Sequence, residues 1–260
     1  MQKETIKFQS STVFEGMTSI RAILRGVDAG VNERRIDKIL YDPAKMPKIY
    51  KEIGYLKAVS EKYGFSVEEA PADELEKLTL GSSHGGIIAM TADRPLPHLD
   101  DAADIPADGF FVMIEGIEDP YNFGYAMRSM YAMGCDGVIL SERNWMSAAG
   151  VVARSSAGAS EMFRIFRAEP EIAVQYFKNR GYTIVCADEN TDNILGETEL
   201  KCPVLLIVGG EKRGISKKVL DHADILVKIA YAREFRASLS AASAATMFAY
   251  EIARQNPKTK

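Results

Sequence analysis

An α/β fold with a mostly parallel sheet is what this 260-residue chain predicts, and three observations carry the prediction. In the C-terminal part, short apolar runs alternate with helical segments, the arrangement that covers both faces of a parallel sheet. Those apolar runs lack a polar residue at every second position, as strands buried on both faces do. The segment TADRPLPHLDDAADIPADG, residues 91–109, has three prolines, five aspartates and few large apolar side chains. Such a stretch interrupts regular structure. The expected organisation is therefore a small α/β domain over 1–95, a linker over 96–108 and a larger α/β domain over 109–260.

In the first domain, Thr18–Leu24 reads as a helix and RIDKILY (35–41), rich in β-branched and aromatic residues, as a strand. Residues 46–63 form a second helix, 65–69 a short strand, 73–78 a helical turn, and GIIAM (86–90) another strand. In the second domain, strands are expected at 110–115, 137–140, 183–187, 204–209 and 225–230. Helices are expected at 121–133, 147–156, 170–180 and 237–255. The last of these, RASLSAASAATMFAYEIARQ, carries alanine and serine on every side, so it can pack closely against the sheet or a second subunit. No internal repeat or low-complexity stretch interrupts the chain.

Composition narrows the function classes. Apolar residues make up 47% and charged residues 26%, an ordinary globular balance. The start MQKETIKFQS has no apolar h-region, so no signal peptide is expected. No apolar run reaches the roughly 18 residues that span a bilayer. Cys135, Cys186 and Cys202 are odd in number and form no CxxC pair, and His84, His98 and His222 are too scattered for a local zinc site. The expectation is a reduced, cytoplasmic protein with no bound metal. Net charge is −4, but residues 1–60 hold eleven Lys/Arg against seven Asp/Glu. That local excess of +4 fits nucleic-acid contact by one part of the chain, and equally fits solvated helix faces.

Three segments could carry chemistry. The first, IEGIEDPYNFGYAMRSMYAMGCDGVIL (114–140), sets Asn122, Gly124 and Arg128 behind a buried strand. On one helix, Asn122 and Arg128 would lie within about 120 degrees of each other. Strand exits are where open α/β sheets keep ligands; the alternative is a helix cap and a solvated charge. The second, VLLIVGGEKRGIS (204–216), runs a strand into glycines that permit positive φ and close backbone approach. Its Gly209–Gly214 spacing imitates a P-loop, but Ile215 stands where lysine is required and Glu211 would repel phosphate. Nucleotide hydrolysis is therefore excluded, and the absence of GxGxxG removes the simplest dinucleotide reading. The third is Ser238-Leu239-Ser240 before the last helix, where Ser238 is read either as an N-cap or as a ligand contact.

NFGYAMR, LIVGGEKRGIS and SLSAASA, in this order, resemble the three motifs of the SpoU/TrmH family (SPOUT superfamily) of RNA ribose 2′-O-methyltransferases. SSAGASEMFRIF (155–166) is similar to the same family. FEGMTSIRAIL (14–24) and SHGGIIAM (83–90) resemble the small ribosomal-protein-like RNA-binding domain of the subgroup acting on guanosine in 23S ribosomal RNA. The resemblance implies methyl transfer from S-adenosylmethionine to a ribose 2′-hydroxyl of RNA, ribosomal RNA before transfer RNA, in a homodimer. It implies a deep trefoil knot in the C-terminal domain, a rarity among proteins. By the same resemblance Val208, Gly209, Gly210, Ile229 and Leu239 line the cofactor pocket. Asn122, Arg128, Glu211 and Ser238 are the implied catalytic set.

An in-line transfer needs attacking oxygen, methyl carbon and sulfur aligned, so positioning supplies much of the acceleration. The family's favoured residue for the proton step matches Arg128. A guanidinium does not normally surrender its proton, so stabilising negative charge on the ribose oxygen, or binding the neighbouring phosphate, suits it better. The implied supporting roles are orientation of Arg128 by Asn122, local geometry from Glu211, and a hydrogen bond near the nucleotide from Ser238. The chain departs from the family pattern at the third motif. Ser240 replaces asparagine, Ala230 replaces proline, and a glycine is missing from YAREFRA. A non-catalytic RNA-binding or ribosome-assembly protein with the same fold is the alternative these departures leave open.

Overall fold

The computed structural model describes residues 12–79, 84–102, 104–117, 119–141, 148–210 and 214–257. The chain begins with β1 (Val13–Glu15), α1 (Gly16–Asp28), β2 (Ile36–Tyr41), α2 (Met46–Tyr63), β3 (Ser66–Glu69), α3 (Ala72–Leu78) and β4 (Ile87–Thr91). It continues through β5 (Phe110–Glu115), α4 (Pro120–Ala132), β6 (Gly137–Leu140), α5 (Ala149–Ser155), α6 (Ala159–Met162) and β7 (Arg164–Arg167). It ends with α7 (Pro170–Lys178), β8 (Thr183–Ala187), β9 (Val204–Gly209), α8 (Lys217–Leu220), β10 (Ile225–Val227) and α9 (Ala241–Gln255). Two compact units result. The spans Met1–Pro95 and Trp145–Met162 supply one, and Leu96–Asn144 and Phe163–Lys260 the other.

The second unit is a six-stranded sheet in the order β10-β8-β9-β5-β6-β7, with every neighbouring pair parallel. β5 and β9 lie side by side, Phe110 opposite Val204 through to Glu115 opposite Gly209. These are the two longest apolar runs, and a central strand with both faces covered needs such a run. On one face, Phe111, Met113, Leu205 and Ile207 pack with Phe177 of α7 and with Tyr182. The Phe111 and Phe177 rings are 5.1 Å apart, and Phe177 and Tyr182 4.9 Å. α9 packs on α4 and β9, placing Ala245, Phe248, Ala249 and Ile252 in the interior. The chain lays β5, β6 and β7 toward one edge, then returns to build β8, β9 and β10 on the other side of β5. The carboxyl ends of β5 and β9 thus mark the switch point of the sheet, the usual place for a ligand.

The stretch expected as a linker, 96–108, belongs by contact to this second unit. Leu99 is buried in its core. Arg167 donates through its backbone N–H to Pro97 O at 2.9 Å and through Nε to Leu96 O at 3.0 Å. The Tyr182 hydroxyl donates to the Pro106 carbonyl. A 3-10 turn forms at Leu99–Asp101, and carbonyls on either side of it find donors on Arg167 and Tyr182.

The first unit is a four-stranded sheet in the order β1-β4-β2-β3. β4 runs antiparallel to β1 and β2, while β2 and β3 are parallel. Phe14, Ile20, Ile23, Ile39, Ile53 and Leu56 make its core, and Ala149 and Ala153 of α5 complete it. α6 comes so close to α1 that a β-carbon on Gly26 would sit 2.1 Å from the Glu161 carbonyl oxygen. Glu161 is buried beside Arg34 and Asn32. Arg34 Nε donates to its Oε2 at 2.9 Å and Asn32 Nδ2 at 2.7 Å. Arg94 donates to Ser160 O at 2.9 Å and Val31 O at 2.7 Å. Residues 148–162, expected to form part of the second domain, thereby build the first.

Candidate functional site

Beyond β5 and β9 the backbone folds tightly. The Gly210 N–H donates to Glu115 O at 2.6 Å, and the Gly214 N–H to Gly210 O at 3.0 Å. The Ser216 N–H donates to Glu115 Oε2 at 3.2 Å. A β-carbon on Gly209 would lie 2.4 Å from the Gly214 carbonyl carbon, and one on Gly210 would lie 2.1 Å from Gly116 O. Both obstacles are backbone atoms that cannot swing aside, so only glycine fits these positions.

This double glycine forms one wall of a cavity of about 500 Å³, within the range that small-molecule sites occupy. The ends of β8, β9 and β10, the segment after β10 and the start of α9 enclose it. Val208, Gly209, Gly210, Ile229 and Leu239 all line it, as does Ser238. Residues from three strands, the loops after them and α9 are thus brought to one place. Sequence reasoning missed Asp188, Glu189 and Asn190 at the exit of β8, and Tyr231 and Phe235, which also line the cavity. Their signals were a polar run directly after a buried strand and two aromatics in an otherwise polar loop. Asp188 Oδ1 accepts from the Asn190 N–H at 2.8 Å and from its side-chain amide at 3.0 Å. The Tyr231 and Phe235 rings are 6.1 Å apart, and the Tyr231 hydroxyl accepts from the Leu239 N–H at 3.1 Å. Burial pushes the thiol of Cys186 on β8 up to about 12, which rules out a reactive thiolate there.

At two helix starts the cap is not the residue that the alternative reading of the sequence named. The cap of α4 is Asp119, whose carboxylate accepts from the Tyr121 N–H at 2.9 Å, with Pro120 at the first helical position. Asn122 is therefore not the cap; it lies within the first turn, half-buried. Arg128 is exposed further along α4, and neither residue lines the cavity. At α9 the cap is Ser240, whose Oγ accepts from the Ser243 N–H at 3.2 Å. Ser238 precedes the helix, exposed at the cavity, and the helix expected from 237 begins at Ala241. Glu211 lies outside the described residues. Among the described residues no cluster of His, Cys, Asp and Glu could hold a metal, and no helix is long and apolar enough to cross a membrane.

Comparison with known proteins adds what geometry alone does not. YacO of Bacillus subtilis (strain 168), assigned to the TrmH family of tRNA/rRNA methyltransferases, is 28% identical over 205 residues, 76% of this chain and 82% of that protein. An uncharacterized tRNA/rRNA methyltransferase of Mycobacterium sp. (strain KMS) is 32% identical over 197 residues. That match covers 74% of this chain and 62% of the mycobacterial protein, so the chain spans less than two thirds of that relative's length. Among solved structures, the AdoMet-bound rRNA methyltransferase from Sinorhizobium meliloti superposes with a TM-score of 0.78 at 21% identity, over 95% of this chain and 88% of that one. An RNA 2′-O ribose methyltransferase superposes with a TM-score of 0.72 at 22% identity, over 94% and 88%. The model of the SpoU rRNA Methylase family matches residues 109–250, which include the whole of the central sheet, the double glycine and the capped start of α9. The chain is a member of the SpoU rRNA Methylase family.

Proposed function

We propose that the protein is an S-adenosylmethionine-dependent RNA 2′-O-ribose methyltransferase that acts on ribosomal RNA as a homodimer. The observation that carries the reading is the cavity beyond the carboxyl ends of β8, β9 and β10, walled by two glycines with no room for a side chain. The glycines let this turn pack tightly on the backbone of Gly116 and Gly214, which leaves that wall without side chains and the cavity open to a group the size of an adenosine. The bound cofactor supplies an electrophilic methyl group on a sulfonium sulfur. Val208, Gly209, Gly210, Ile229 and Leu239 hold its adenosine, and the adjacent rings of Tyr231 and Phe235 offer a face to a planar group. The threading of the C-terminal segment into a trefoil knot belongs to this same reading.

The catalytic set is Asn122, Arg128, Glu211 and Ser238. Arg128 stabilises charge as it develops on the ribose oxygen, Asn122 orients it, and the hydroxyl proton leaves to water or a phosphate oxygen. Ser238 hydrogen-bonds near the nucleotide from the cavity edge. Arg128 does not line the cavity of its own chain, as expected of a residue delivered to a site completed by a second protomer. Tyr121, Tyr125 and Arg128 form one exposed stripe on α4, and Met247 and Tyr250 another on the adjoining α9. We assign the dimer contact to this face.

The test is incubation with labelled S-adenosylmethionine and unmodified ribosomal RNA or transfer RNA, followed by digestion to nucleosides. A 2′-O-methylated nucleoside from ribosomal RNA is expected; a base-methylated product or unlabelled RNA would refute the reading. Arg128→Ala should abolish transfer while calorimetry still shows cofactor binding. Full turnover by that variant would remove Arg128 from the mechanism.

A further inference from the structure

In the first unit, α1 and α2 run side by side in the same direction. Arg21 lies 5.7 Å from the Tyr55 ring centroid, and seven residues later in both helices Asp28 meets Lys62 at 2.7 Å. The outer surface of this pair is basic. Lys48, Lys51, Tyr55 and Lys62 recur at spacings of three, four and seven, which keeps them on one side of α2. Arg21 and Arg25, four apart, face outward on α1. All six side chains are exposed, Tyr55 by 40%. Of the nearby acids, Asp28 is engaged with Lys62 and Tyr63, and Glu52 is half-buried. The apolar face of α2 is already spent on the core through Ile49, Ile53 and Leu56, so this outer face is not left over from packing.

The geometry points to this α1–α2 face as an RNA-docking surface, with lysines and arginines on phosphates and Tyr55 stacking on an unpaired base. The identity of the partner rests on the methyltransferase reading; the location of the surface does not. Charge complementarity selects a polyanion, since Arg21, Arg25, Lys48 and Lys51 share a face with one aromatic ring on a protein of net charge −4, Lys62 being tied to Asp28. The ring selects nucleic acid over an acidic polypeptide, because an exposed tyrosine flanked by cations is a stacking platform for a base. From Lys48 to Lys62 the stripe runs about 21 Å along the helix, enough to follow several phosphates.

The test compares the full-length protein with Lys48→Gln/Lys51→Gln, Tyr55→Phe and Tyr55→Ala. The readouts are affinity for a fluorescent single-stranded oligoribonucleotide across a salt series, affinity for S-adenosylmethionine, and the thermal transition as a folding control. Each lost lysine is expected to weaken RNA binding about fivefold at physiological salt and to flatten the salt slope by about 0.7 to 0.9. Tyr55→Ala should weaken binding with an unchanged slope, and Tyr55→Phe should restore it. Cofactor affinity should be the same throughout. Unchanged RNA affinity in the lysine pair, while the wild-type protein binds and methylates RNA, would overturn this surface alone. A wild-type protein that binds cofactor but no RNA would overturn both this surface and the proposed function. Equal competition by polyglutamate, with no effect of Tyr55→Ala, would assign the face to an acidic protein instead.

Discussion

Serine and asparagine cap helices about equally well, and capping is what Ser240 does at the start of α9. The structure places Ser240 at the start of α9 with its oxygen on the Ser243 N–H, a task that needs only one acceptor. Ser240→Asn should therefore leave stability and cofactor affinity within experimental error. Ser240→Ala should lower stability by about 1 kcal/mol in denaturant titration. Gly210 offers a sharper test. A β-carbon there would press on the Gly116 carbonyl, and overpacking of this kind costs about 1–3 kcal/mol. Gly210→Ala is expected to lower the thermal transition and abolish cofactor binding, with calorimetry as the measurement. Which residue caps which helix was not legible in the sequence, because Asp119 and Asn122, or Ser238 and Ser240, offer the same chemistry a few positions apart. Only the path of the backbone chooses between them.

Among the elements, the strands of the central sheet were legible because burial on both faces leaves an unbroken apolar run. β7 was not: RIFR has an arginine at each end, and as an edge strand it keeps both half-exposed, with Arg164 on the Asp104 carbonyl and Arg167 on that of Leu96. The one-turn helices α6 and α8 are too short for periodicity to register. Residues 148–162 were read correctly as containing a helix, yet their allegiance was invisible, since it depends on Glu161 reaching Arg34 across 127 positions of sequence. Burial disfavours the Glu161 carboxylate, but Arg34 and Arg94 nearby, with hydrogen bonds from Arg34 and Asn32, outweigh it and hold its pKa below the ordinary 4.5. A depressed carboxylate contributes stability above the unfolded-state pKa and loses it as pH falls through the folded value. Unfolding measured from pH 7 downward should show this loss in the acid range, and Glu161→Gln should flatten that part of the profile. Glu161→Ala leaves Arg34 buried without its carboxylate and should cost about 3–5 kcal/mol.

At the scale of the whole molecule, the sequence divided the chain in two at the proline-rich stretch, and contact divides it in three places. Cutting after residue 95 would strip α5 and α6 of the sheet they pack on, exposing Ala149 and Ala153 from the first unit's core. A fragment starting at residue 96 should therefore be less soluble than the full chain, and 8-anilinonaphthalenesulfonate fluorescence would report the exposed apolar surface. The proposed dimer contact is also a whole-molecule property. Tyr125→Glu, on the exposed stripe of α4, should shift sedimentation toward monomer; an unchanged dimer would move the contact elsewhere.

The interleaving of the two units has a consequence during synthesis. When residues 12–95 leave the ribosome, the sheet of the first unit is present but α5 and α6 are not. The polymerising chain must deliver β5, α4 and β6 of the other unit before the missing pieces arrive. Until then Arg34 and Arg94 have no carboxylate to meet, and the apolar seat for α5 stays open. Vectorial folding in the usual order, one domain finished before the next begins, is barred by the connectivity. The first unit has all its parts only at residue 162, when β7 to α9 of the second are still to come, so its open apolar seat persists while residues 96–162 are made.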